Sequence, residues 1–123
     1  MPRPSEKELF KRIKEAKEAI AEGRIALINP LAVASDALEL GYLIGEELES
    51  LLAELVDRLA PAQYVGTRPP QRSYEQTIKG LELFAFEVDS PRFESPVYLK
   101  FALSPDGFWL VSLHKGRTSQ EEA

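Results

Sequence analysis

The stretch VYLKFALSPDGFWLVSLHKGR, residues 97–117, gathers side chains that can move protons and hold an anion: Tyr98, Lys100, Ser112 and His114, the last being the only histidine of the chain. An imidazole titrates near neutrality and serves as acid or base, a phenol donates a hydrogen bond or a proton, and an ammonium group stabilises charge developing on oxygen. Whether they meet depends on register. Ser-Pro-Asp-Gly at 104–107 has the composition of a type I turn, with Pro105 at its second position and Gly107 suited to the left-handed residue of a three-residue hairpin with a bulge. That turn predicts Ser104 opposite Phe108, then Leu103 with Trp109, Phe101 with Val111 and Leu99 with Leu113 on one apolar face. The other face then pairs Ala102 with Leu110, Lys100 with Ser112 and Tyr98 with His114, and a one-residue slip would set Lys100 against a hydrophobe. A half-solvated sheet with no chemistry shows the same residue types, so their proximity alone does not decide between the two readings.

The elements that must position this hairpin follow from periodicity. Ser5 and Glu8 have the spacing of a capping box, and Leu9, Ile13, Ala16 and Ile20 then recur at helical spacing until Gly23. The lysines of this helix, Lys7, Lys11, Lys14 and Lys17, alternate with glutamates as a solvated face does. Residues 24–28 suit a brief strand, Asn29 and Pro30 open a second helix that Gly41 ends, and Leu48, Leu52, Leu55 and Leu59 stripe a third that runs to Pro61. All these stripes read as core. Residues 61–80 are rich in Pro, Gly, Gln, Thr and Arg without a period, which marks a long loop, functional or disordered, carrying Arg68, Arg72 and Lys79. Three strand-length runs follow, at 81–88, 97–103 and 108–115. The expected class is therefore α+β: a small antiparallel sheet of three to four strands packed on two to three helices.

With 123 residues the chain is expected to be one domain, its ends at 1–4 and 118–123 flexible. No apolar run is long enough to span a membrane, and the charged helical start lacks the apolar core of a secretory signal, which places the chain in the cytoplasm. Absence of cysteine removes thiol nucleophiles and thiolate metal sites, and a lone histidine argues against a histidine-based metal centre, so the expectation is no metal and no cofactor. The formal net charge of −5 excludes a protein coated with nucleic-acid-binding charge. That charge is uneven: residues 1–60 carry 8 basic against 12 acidic side chains, whereas 61–117 carry 7 against 6, so the C-terminal half is the less hostile to an anion.

Four segments, taken in order, carry a resemblance. EGRIALINPLAVASDALELG looks like a strand followed by a helix ending in a Glu-Leu-Gly turn; LAPAQY looks like a Leu-x-x-x-x-Phe-Tyr-Lys segment; VYLKFAL matches a Val-Tyr-Leu-Lys strand; LVSLHKG looks like a final Val-Ser-Phe-Lys/His strand. Over residues 13–117 this ordered set resembles the MqsR (motility quorum-sensing regulator) toxins, mRNA interferases of RelE-like fold. The resemblance implies a type II toxin that cleaves single-stranded mRNA and is bound by a cognate antitoxin, a monomer or weak homodimer when free. It sets Tyr98 on the family's catalytic tyrosine and His114 on the basic residue of its last strand. It also sets Tyr64 on the tyrosine of the Phe-Tyr-Lys segment, with Val65 in place of the active-site lysine. In AFEV, set against Trp-Gln-Asp-Val, Phe86 replaces the catalytic glutamine and Glu87 the aspartate.

A metal-free ribonuclease needs a base for the ribose 2′-hydroxyl, an acid for the leaving 5′-oxygen and cations for the phosphoryl oxygens. His114 suits proton transfer, Tyr98 suits orienting the phosphate or lending a proton, and Lys100, Arg68, Arg72 or Arg92 suit the charge. Arg68, Arg72 or Lys79 would then replace the positive charge lost at Val65. Tyr64 and Tyr74 are candidates for stacking on bases, and Glu87 for a second base or an outward strand residue. The rival reading keeps the fold and loses the chemistry: a binding module that engages a protein such as an antitoxin, with Arg92 and Phe93 as anchors.

Overall fold

The computed structural model describes residues 3–116. Helix α1 (Glu6–Ala21) starts where Ser5 accepts a hydrogen bond from the Glu8 N–H, one half of the capping box; the Glu8 carboxylate turns instead to Arg3. That guanidinium also binds Glu82 and holds the Glu8 carboxyl below the usual carboxylate range. The N-terminal end is thus tied down at Arg3 and at Pro4, whose carbonyl accepts from Arg68, while residues 1, 2 and 117–123 lie outside the described residues. Strand β1 (Ile25–Leu27) leads into α2 (Pro30–Leu40), capped by Asn29 and stopped by Gly41 in the left-handed conformation. Helix α3 (Ile44–Asp57) has no side-chain cap, and the Glu47 carboxylate reaches back to the Leu43 N–H. It ends before Pro61, which opens a 3-10 turn (Pro61–Gln63). A second such turn (Gln76–Ile78) precedes β2 (Phe84–Val88), β3 (Val97–Ser104) and β4 (Gly107–Lys115).

The protein is α+β, three helices on a four-stranded sheet of order β1-β4-β3-β2. The sheet is mixed, not purely antiparallel: β1 runs parallel to β4, a pairing of the first strand with the last that no local turn signals. Phe84, Phe86 and Val88 of β2, Leu99 and Phe101 of β3, and Phe108, Leu110 and Leu113 of β4 face the buried stripes of all three helices in one core. Phe101 sits at its centre, stacked on Phe86 at 5.9 Å and on Phe108 at 4.9 Å. Among the described residues no helix is long and apolar enough to cross a membrane.

Two local expectations are corrected. Residues 81–83 do not extend β2, because they fold back on 71–73: Ser73 donates to the Leu81 carbonyl and Leu83 to that of Gln71. In the last hairpin the extra residue falls between Lys100 and Phe101 on one strand and Leu110 and Ser112 on the other, at Val111, not at Gly107. Ser104 accordingly faces Gly107, Leu103 faces Phe108, Phe101 faces Leu110 and Ala102 faces Trp109. Gly107 backs onto β1, where a Cβ would stand 2.4 Å from the Arg24 carbonyl oxygen, and its φ of +140° belongs to glycine. Beyond the bulge the expected pairs hold: Lys100 with Ser112, Leu99 with Leu113 and Tyr98 with His114.

Candidate functional site

The sheet face away from the helices carries three cross-strand rows. Glu87 of β2 faces Tyr98 of β3, which faces His114 of β4; in the next row Ala85 faces Lys100, which faces Ser112. The third row sets Ala102 against Trp109, whose other neighbour is Ala26 of β1. Alternation produces these rows: Glu87, Tyr98 and Trp109 each lie between two residues that enter the core, and Leu113, which enters it, separates Ser112 from His114.

In the first row the Tyr98 and His114 rings stack with centroids 4.8 Å apart and planes 16° from parallel. His114 Nδ1 lies 2.8 Å from the Lys115 carbonyl oxygen. A carbonyl only accepts, so Nδ1 is the donor, and in the neutral ring Nε2 is then the acceptor, the arrangement a general base needs. Burial pushes the Tyr98 phenol above its ordinary value, so it keeps its proton throughout the neutral range and acts as a donor. The Lys100 ammonium stands 5.9 Å from the Tyr98 ring centroid. The Glu87 carboxylate comes round beside Gly116, whose Cβ position lies 3.3 Å from Glu87 Oε2. Base, phenol, carboxylate and ammonium thus share one face, a constellation able to exchange protons with a bound phosphate ester and to balance its charge.

The other candidates are elsewhere. Arg68 lies over the Tyr64 ring at 4.9 Å and donates to the Pro4 carbonyl at 2.9 Å. Arg72 donates to the Gly80 carbonyl and lines a cleft of about 230 Å³ with Phe84 and Leu103, at the far end of the strands from Tyr98; five residues of strand put that end about 16 Å away. The structure therefore does not bring Arg72 to His114, and Arg68 is held at Tyr64 and Pro4. Each guanidinium donates one hydrogen bond to a backbone carbonyl while staying exposed, Arg68 to a partner far off in sequence and Arg72 to one eight residues on. Arg92 binds Glu47 and Glu54 on the helical side. Tyr64 is buried with its ring edge-on to Phe86, its hydroxyl donating to the Thr67 carbonyl, so it packs the core and presents no stacking face. Tyr74, 86% exposed, and Lys79 remain open to solvent on the loop. Phe86 is fully buried, whereas Val65, half exposed, donates its N–H to the Ala85 carbonyl along the β2 edge.

Sequence reasoning missed Trp109, which it assigned to the core face. The indole is partly exposed on the outer face, its N–H donating to Ser104 Oγ at 2.9 Å. The available signal was the N–H itself, which needs a partner and seldom enters an all-apolar core. Among the described residues no group of three or more His, Cys, Asp or Glu converges as metal ligands would. No family model matches the chain, and no curated protein matches it.

Proposed function

We propose that this chain is a metal-independent endoribonuclease acting on single-stranded mRNA in the cytoplasm, the toxin of a toxin–antitoxin pair with a RelE-like fold. The observation that carries the reading is the stacked Tyr98–His114 pair beside Lys100, with Nε2 of His114 making no hydrogen bond among the described residues. His114 Nε2 removes the proton of a ribose 2′-hydroxyl, whose oxygen attacks the adjacent phosphorus. The P–O5′ bond breaks, leaving a 2′,3′-cyclic phosphate on one product, and the departing 5′-oxygen takes a proton from the Tyr98 phenol. Lys100 balances the charge that builds on the phosphoryl oxygens, and Trp109 offers an aromatic face to a neighbouring base.

A second reading is favoured by the diversion of Arg68 and Arg72 to backbone carbonyls and by the enclosure of Phe86 in the core. With that cationic support gone, the same face serves as a binding module for a protein such as an antitoxin. Incubating partner-free protein with a defined single-stranded RNA in EDTA, and mapping product ends, separates the two. Cyclic-phosphate ends from wild type and none from His114→Ala support the nuclease; intact RNA from folded wild type supports the binding module.

A further inference from the structure

The helical layer carries two surfaces of opposite charge, each with exposed apolar side chains. From Asn29 to Asp57 the chain has seven acidic residues and no Lys or Arg. On the outward side of α2, Leu31 and Leu38 are 84% and 86% exposed, two turns apart with Ser35 between them, and Leu43 is also exposed beyond the helix end. Glu39 borders this stripe, and Glu46 stands in the first turn of α3. Helix α1 carries five basic and four acidic side chains, and it presents a basic patch at one place: Lys7, Lys11 and Lys14 recur around Phe10, which is 57% exposed and lines a cleft of about 560 Å³ with them, whereas Glu6 and Glu18 do not line it. The nearby glutamates are partly engaged, Glu8 by Arg3 and Glu15 by Arg12.

We propose that the outer face of α1 in one copy docks on the leucine stripe of α2 in a second copy, head to tail. Lysines then meet Glu39 and Glu46 while Phe10 meets Leu31 and Leu38. Charge complementarity selects the occupant: an acidic, leucine-bearing face calls for a basic surface with an apolar centre, and this chain carries one. The two patches differ, so the contact is heterologous and repeats from copy to copy as concentration rises. Both lie on the helical side of the sheet, which leaves Tyr98 and His114 uncovered.

Sedimentation velocity on the full chain tests this with two variants at exposed positions, Lys11→Glu with Lys14→Glu and Leu38→Lys with Glu39→Lys, each first shown to be folded by circular dichroism. The wild type is expected to gain mass with concentration at low salt, and high salt to weaken the association about tenfold or more. Each double variant alone stays monomeric. Mixed in equal amounts they retain one intact pair of patches and associate with each other, although neither variant associates alone. A wild type that is monomeric at every concentration at low salt would overturn the proposal, as would a variant that associates like the wild type or a mixture that fails to pair. Binding of a lysine-rich amphipathic peptide to a monomeric wild type, lost on Leu38→Lys, would give the face to a foreign partner instead.

Discussion

Phe86 and Glu87 are neighbours in β2, and they belong to different worlds. On the inner face of the sheet Phe84, Phe86, Phe101 and Phe108 interlock with the helices, and the Phe101 ring contacts the other three. On the outer face Glu87, Tyr98, Lys100, Ser112 and His114 lie in rows that touch sideways and keep polar atoms free. The inner face gains by excluding water and tolerates little change of volume, whereas the outer face contributes little to stability and carries the groups that can act.

The sharpest way to break that contrast is at the centre of the core. Phe101→Ala is expected to cost about 3–5 kcal/mol in urea unfolding. Phe86→Gln, which restores the residue type of the resembled family, should cost about 3 kcal/mol or more by burying an unpaired amide among aromatics. A site requirement for glutamine at that position would predict a gain of cleavage instead. Gly107→Ala, forced to φ of +140° and against the Arg24 carbonyl, is expected to cost about 1–3 kcal/mol, read in the same assay.

A smaller effect concerns Tyr42, whose buried hydroxyl has no hydrogen-bond partner among the described residues and whose pKa burial pushes up to about 12. The folded state holds this proton longer than the unfolded chain, so its share of stability is present below the ordinary tyrosine value of 10.0 and is lost as pH rises through about 12. Tyr64 and Tyr98 are shifted in the same direction. Tyr42→Phe should raise stability at neutral pH by about 1 kcal/mol and flatten the alkaline fall, as urea midpoints measured across that range would show. Smallest of all, Glu87→Gln should leave stability within about 0.5 kcal/mol of wild type; a loss like that of Phe86→Gln would abolish the distinction between the faces.

The helices were legible because their signals are local: Ser5, Asn29 and Gly41 mark ends, and each stripe marks its buried side. Half of the hairpin was legible for the same reason, since alternation on both strands fixes Tyr98 opposite His114. The turn end was not, because Gly107 is constrained by β1, a strand that arrives from eighty residues away in sequence. Moving the bulge to Val111 turned Trp109 outward and Phe108 and Leu110 inward. The loop cations were beyond reach too: Arg68 is held by Pro4 and Arg72 by Gly80, pairings that neither composition nor period encodes.

The division between the faces is tested most directly at His114, by measuring single-turnover RNA cleavage in EDTA and urea unfolding on the same preparations of wild type and His114→Ala. Cleavage should fall about 10²-fold or more while stability changes by about 1 kcal/mol or less, the worth of the ring stack with Tyr98. Equal cleavage by the two proteins, or a stability loss as large as that of Phe101→Ala, would contradict the assignment of His114 to a working outer face.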